Sequence, residues 1–163
     1  MGQSIRYNAI RRHEIPSLER RGGVAYRVIG EIDVIALHHG SVDIETPIGV
    51  PANVSESLKN CDPGIADAVV VGSVCDGIRV ELLDVLMVDK KSVRVLPWQE
   101  RMDLLKKVYD GFSDESKKMF QLAPKWTRGL MSAFDASSIG GGILIRVPGK
   151  ADGYICIRQG EAL

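Results

Sequence analysis

Residues 26–49 read YRVIGEIDVIALHHGSVDIETPIG. In the first half, Glu31, Asp33 and Ile35 alternate with Ile32, Val34 and Ala36. A period of two marks a strand with one wetter face. His38-His39-Gly40 supplies a turn, and beyond it Val42, Ile44 and Thr46 alternate with Asp43, Glu45 and Pro47. The stretch predicts two strands joined by that turn, the first running from Val24 to Leu37.

The pattern recurs on the C-terminal side. Ala66 to Cys75 is apolar, Asp76-Gly77 is a two-residue hairpin signal, and Ile78 to Val88 pairs back, with Val80, Leu82 and Asp84 on alternate positions. Pro51 to Gly64 reads as a loop or short helix. Asp89-Lys90-Lys91 turns the chain into a short strand, Ser92 to Leu96. Pro97 then opens the clearest helix, with Trp98, Met102, Leu105 and Tyr109 on one stripe, widened by Leu104 and Val108 and closed by Gly111. Ser113-Asp114-Glu115 predicts a second short helix carrying Met119, Phe120 and Leu122, which Pro124 stops. A third helical stretch carries Trp126, Leu130, Met131 and Phe134. After a glycine-rich loop, Ile143 to Val147 and Tyr154 to Arg158 read as the last two strands.

Strand pairs, then helices, then strands predict an α+β fold with mostly antiparallel sheets and a few helices, in a single domain spanning residues 1–163. Residues 1–23 form a polar, basic lead-in with Arg6, Arg11, Arg12, Arg20 and Arg21. Glu14 and Glu19 dilute its charge, so covering a sheet edge is favoured over contacting phosphates.

Composition removes several function classes. Lys+Arg and Asp+Glu are both 21, so no global field draws the chain to nucleic acid or membrane, and any such contact must be local. Cys61, Cys75 and Cys156 lie far apart without a CxxC pair, which predicts free thiols in a reducing compartment. No apolar run has membrane-spanning length and the N-terminus lacks a signal-peptide core, so the expectation is a cytoplasmic protein with no membrane partner. His38 and His39 have no third ligand nearby, and no metal is expected.

One family resemblance covers most of the chain. ATP-dependent DNA ligases, RNA ligases and capping enzymes share an ordered motif set that begins K-x-D-G-x-R. The matching segment here is Arg27-Val28-Ile29-Gly30-Glu31-Ile32, and the family's later S-R-x-G turn corresponds to Thr46-Pro47-Ile48-Gly49. The family's D-G-E corresponds to Val71-Gly72-Ser73. Its F-D-L-L and L-P-x-x-E-R-x-x-L correspond to Leu83-Asp84-Val85-Leu86 and to residues 96–105, the most specific match. Its E-G-[IV]-x-x-[KR] corresponds to residues 141–146, ending on Arg146, and its K-x-K falls near Cys156 and Arg158.

The chain thus resembles a minimal adenylation domain of the covalent nucleotidyltransferase fold, without the oligonucleotide-binding domain that follows in ligases. The resemblance implies that the reactive groups are gone. Arg27 stands where the family's lysine attacks the nucleotide, and a guanidinium stays protonated and is a poor nucleophile. The motif aspartate is Ile29, and both carboxylate-bearing downstream motifs have lost their glutamate. The implied function is a pseudoenzyme: a catalytically inactive binding or accessory module for a protein or nucleic-acid partner, of a size common among accessory or phage-encoded factors. No cofactor is expected. The implied cleft residues are Arg27, Gly30, Glu31, Arg146 and Arg158.

Two alternatives stay open. Lys150-Ala151-Asp152-Gly153 is itself K-x-D-G, so an active nucleotidyltransferase using Lys150 with ATP and Mg²⁺ is the first, with Gly140–Gly142 near phosphate. Against it, Pro148-Gly149 and Asp152-Gly153 explain the segment as a turn. A structural or assembly protein is the second.

Overall fold

Two sheets form, and the chain passes from one to the other at Ile29-Gly30. The computed structural model describes residues 7–38, 41–44, 68–75, 79–112, 114, 116–150 and 152–159. In chain order, β1 (Tyr7–Ala9) leads through a 3-10 turn (Arg12–Glu14) into α1 (Ile15–Arg20). Next come β2 (Val24–Val28), β3 (Glu31–His38), β4 (Ser41–Ile44), β5 (Ala68–Cys75), β6 (Arg79–Val88) and β7 (Lys91–Ser92). Then follow α2 (Trp98–Asp110), a 3-10 turn (Ser116–Lys118), β8 (Phe120–Leu122), β9 (Lys125–Trp126), α3 (Leu130–Asp135), β10 (Gly142–Arg146) and β11 (Gly153–Ile157). The architecture is α+β. One sheet has the order β1-β11-β10-β2-β9; the other runs β4-β3-β5-β6-β7, with β8 also paired to β6. Pairing is antiparallel except at β1–β11 and β6–β8.

The single strand predicted from Val24 to Leu37 is therefore two strands in different sheets. Both halves are rich in β-branched residues, so composition does not mark the break. It is fixed by a tertiary contact: the Ile29 N–H donates to Ser73 Oγ on β5 at 3.1 Å. β3 and β4 pair as expected around residues 39–40, which lie outside the described residues, as do the predicted loop at 51–64, Cys61 and the turn at 46–49. β5 and β6 pair antiparallel from Ala68↔Val88 to Cys75↔Arg79, while Asp76-Gly77 is likewise outside the description. Asp89 (φ 50°) and Lys90 (φ 68°) carry the tight β6–β7 turn, both left-handed as a twisted two-residue hairpin requires. The predicted strand over Ser92–Leu96 reduces to Lys91–Ser92, because Leu96 N–H closes a turn onto Val93 O.

The helix predicted around Met119 and Phe120 gives way to a 3-10 turn and β8. The edge of β6 outcompetes a short helix there: Val80 N–H donates to Met119 O and Ala123 N–H to Leu82 O. Trp126 likewise sits on β9, paired with Ala25, rather than in α3.

Two bulges in β6 decide which side chains face which sheet. The register against β5 slips between Val71 and Gly72 and between Val69 and Val70, so Leu83 and Leu86 are extra residues. Val80, Leu82 and Val85 consequently pack with Val70, Val74, Leu105, Val108, Phe112 and Phe120 under α2. Asp84, predicted to share the Val80–Leu82 face, instead pairs with Val71, two residues from Ser73, the partner of Glu81. Glu81 and Asp84 thus both face the five-stranded sheet. Leu83 joins Tyr26, Val28, Leu144 and Trp98 in the cluster between the sheets. The other face of the five-stranded sheet packs Ala25, Ile143 and Ile145 against α1 and α3. Among the described residues no helix is long and apolar enough to cross a membrane.

Candidate functional site

The polar groups between the sheets fall into two clusters. The first is built on Glu81, fully buried on β6. Arg27 of β2 grips its carboxylate with both Nε (2.8 Å to Oε1) and an Nη. Gln121 Nε2 donates to Oε2 at 3.2 Å, and Arg79 Nε lies 3.8 Å from the same oxygen. The fork-to-fork geometry of Arg27 and Glu81 fixes the guanidinium plane. The side chains of Arg27 and Arg79 remain 37% and 44% exposed.

Beside these arginines lies a recess of about 150 Å³, lined by residues 27–29, Arg79 and residues 136–138. Its far wall is the segment after α3, which is held from two sides. Arg158 donates to the carbonyls of Asp135 (2.9 Å) and Ser137, quenching the exposed C=O groups at the helix end. Arg12 grips the Asp135 carboxylate at 2.9 and 2.7 Å, and that hydrogen bond holds its carboxyl below the usual range. Arg12 therefore serves as a brace.

The second cluster centres on Asp84, which is fully buried. Asp84 accepts from Arg101 Nε at 2.9 Å, from Arg146 Nη2, from Tyr7 Oη at 3.3 Å and from the Val85 N–H at 2.8 Å. Arg101 and Arg146 are both 0% exposed. Arg146 also lies 5.1 Å from the centre of the Tyr7 ring. Burial, and then the Asp84 charge, push the Tyr7 phenol well above its ordinary value. This cluster joins β1, β6, β10 and α2. It is closed to partners and ties the sheets together.

The residues expected to form one cleft are consequently divided. Arg27 reaches the recess, and Arg158 braces its wall without lining it. Arg146 is sealed inside the second cluster, paired with Val24 at the end of β10 remote from the Gly142↔Val28 pair. Gly30 lies in the crossing between β2 and β3, and Glu31 opens β3 opposite Val74. Lys150 is exposed in the turn joining β10 to β11, its N–H bonded to Val147 O. That turn lies beyond the Arg146 end of β10, roughly 13 Å along the strand from Gly142 at about 3.3 Å per residue.

Gly140–Gly142 does not present its backbone to a ligand. Gly140 N–H donates to Arg158 O and Gly141 N–H to Ser138 O. A Cβ on Gly141 would lie 2.4 Å from Val28 O, and one on Gly142 2.0 Å from Cys156 O, so these glycines permit close backbone packing. Among the described residues no three His, Cys, Asp or Glu side chains gather as a metal site.

Sequence reasoning missed Glu81, Arg79 and the 136–138 wall. The charged alternation Arg79-Val80-Glu81-Leu82 was the available signal, since a carboxylate on a strand otherwise apolar needs a partner. The position matched to the family's lost glutamate is Ser73, and the carboxylate directly across the ladder is Glu81. Compared with known proteins, the chain matches no family model and no curated protein.

Proposed function

We propose that the chain is a ligase-like module that has lost covalent chemistry and works by binding, with nucleic acid the favoured partner. One observation carries this reading. The residue in the place of the family's nucleophilic lysine, Arg27, is a guanidinium clamped on a buried carboxylate beside an open recess. A permanently charged group anchored at one end, with more than a third of its side chain in solvent, is suited to holding an anion and unsuited to attacking a phosphate. Arg79 beside it doubles the positive wall. The sum of local charge, not the balanced total, then draws a polyanion to this face.

The test has two arms. Purified protein incubated with ATP, GTP or NAD and Mg²⁺ is expected to show no added mass under denaturing conditions. An adduct lost in Lys150→Ala would replace this reading with an active nucleotidyltransferase working at the other end of the β10–β11 hairpin. In filter binding at low salt, single-stranded and duplex oligonucleotides are expected to be retained, with affinity falling steeply as salt rises. No retention of any form would remove the nucleic-acid partner.

A further inference from the structure

We infer that residues 130–139, α3 with the segment behind it, form a strap that opens as a unit and is latched shut by charged side chains at both ends. This stands independently of the binding reading above. It bears on the recess because residues 136–138 are one of the recess walls.

The two ends of the segment are hinges. Gly129 (φ 69°) and Gly140 (φ 88°) both take the left-handed backbone, and a Cβ on either would meet no atom within 4 Å. Glycine serves there for its backbone freedom, whereas Gly141 and Gly142 serve close packing. Outside the hinges the chain is fixed in the five-stranded sheet. Trp126 pairs with Ala25, and Gly142 pairs with Val28 and Ile157.

Between the hinges no strand holds the backbone. Its bonds close on the segment itself: Ala136 N–H donates to Ser132 O, Ser137 N–H to Phe134 O, and Ser138 O accepts from the Gly141 hinge. Among the described residues, the polar contacts that cross to the rest of the chain come from three charged side chains. Glu19 on α1 accepts from the N–H groups of Gly129 at 3.3 Å and Leu130 at 2.9 Å, which satisfies donors at the start of α3. At the other end Arg12 grips the Asp135 carboxylate, and Arg158 holds the carbonyls of Asp135 and Ser137. The latch at Asp135 stands in water, with the Arg12 and Asp135 side chains 56% and 49% exposed. Raising salt to 0.5 M shortens the screening length to roughly 4 Å, which weakens such a pair and spares the buried Asp84 cluster.

The apolar hold on the strap is small. Leu130, Ala133 and Phe134 are the buried residues of α3, and Ile139 behind it is 67% exposed. Two large anchors and one small one oppose the conformational freedom of the whole segment. The strap therefore belongs to the part of the molecule that opens before the sheets unfold. Opening bares the Ile143 and Ile145 side of the five-stranded sheet and withdraws the 136–138 wall, so the recess is complete only while the latches hold.

Hydrogen exchange read by mass spectrometry tests this on the full chain at pH 7, in 50 mM and 500 mM NaCl, with β10 as the internal reference. Amides of α3 should exchange about tenfold or more faster than those of β10, as expected for local opening. Their rate should rise about threefold between the two salts while that of β10 holds. Asp135→Asn and Glu19→Gln each remove one latch and leave the apolar anchors in place, so each should raise α3 exchange about threefold at 50 mM NaCl. Unchanged β10 exchange shows that a variant is still folded, and the wild-type salt response needs no variant at all. One common rate for α3 and β10 would overturn the strap. An α3 rate that neither salt nor substitution moves would overturn the latches. An acceleration shared equally by β10 would show that these side chains hold the whole fold, and would overturn the proposal as well.

Discussion

Replacing Asp84 by Asn tests the buried network that joins the two sheets. Asp84 is 0% exposed, and its carboxylate serves two guanidiniums that are also 0% exposed. Oδ1 takes Arg101 Nε and the Val85 N–H; Oδ2 takes Arg146 Nη2 and the Tyr7 hydroxyl. Asparagine keeps the shape and one acceptor. If its oxygen stays on the Val85 side, its NH₂ faces the donors of Arg146. The substitution therefore removes the counter-charge and sets donor against donor in a site buried from solvent. Removing one partner of a buried pair costs about 3–5 kcal/mol. For a chain of this length each kcal/mol shifts the melting temperature by about 2–4 °C, so the expected drop is roughly 6–20 °C. Urea unfolding followed by circular dichroism gives the free energy directly. Adding Arg146→Met to Asp84→Asn should destabilise by less than the sum of the two single changes, because they remove the same interaction. A loss below about 1 kcal/mol, the range of a solvated surface pair, would show that the network is screened and would refute the argument.

Other expectations follow from single contacts. Gly141→Ala places a Cβ 2.4 Å from Val28 O, so β10 or the 136–138 wall must move; stability should fall by about 1–3 kcal/mol and oligonucleotide retention should weaken with it. Trp98→Phe removes the 2.9 Å donor of the Val147 carbonyl, which keeps the Lys150 N–H, at a cost of about 0.5–1.5 kcal/mol by denaturant titration. Burial pushes the Tyr26 phenol up to about 12, so its stabilising contribution is whole below about pH 10 and is lost as pH climbs towards 12. The stability of Tyr26→Phe should accordingly decline less than wild type over that window, and parallel curves would disprove the assignment.

The sequence disclosed most of the strands and the long helix, because these rest on local periodicity. It concealed what depends on partners distant in the chain. The crossing at Ile29 is set by Ser73, and β8 is recruited by the unpaired edge of β6. Arg101 illustrates the same limit. Its spacing of three from Trp98 and four from Leu105 puts it on the buried stripe of α2, but the partners that satisfy it there, Asp84 and the carbonyls of Arg94 and Leu96, are set by the fold. Of the residues that line the recess, the sequence reading had named one, Arg27. The second cluster was hidden because a bulge, which no period reveals, turns Asp84 to the side of Glu81 and divides the arginines between two clusters.

The division of strands between the sheets also sets an order of assembly. The six-stranded sheet is drawn from one continuous run, Glu31 to Leu122. The five-stranded sheet collects β1, β2, β9, β10 and β11 from either side of it, and pairs Tyr7 with Gly153, 146 residues away. Near-neighbour pairings form early, and distant ones wait on the cost of closing a long loop. During synthesis the six-stranded half is free to organise once residue 122 is clear of the ribosome, whereas β1 has no strand to join until β11 emerges. Because Arg27 comes from the late sheet and Glu81 from the early one, the recess exists only in the finished molecule. A half-folded chain would carry the buried carboxylate but not the wall of cations that answers it.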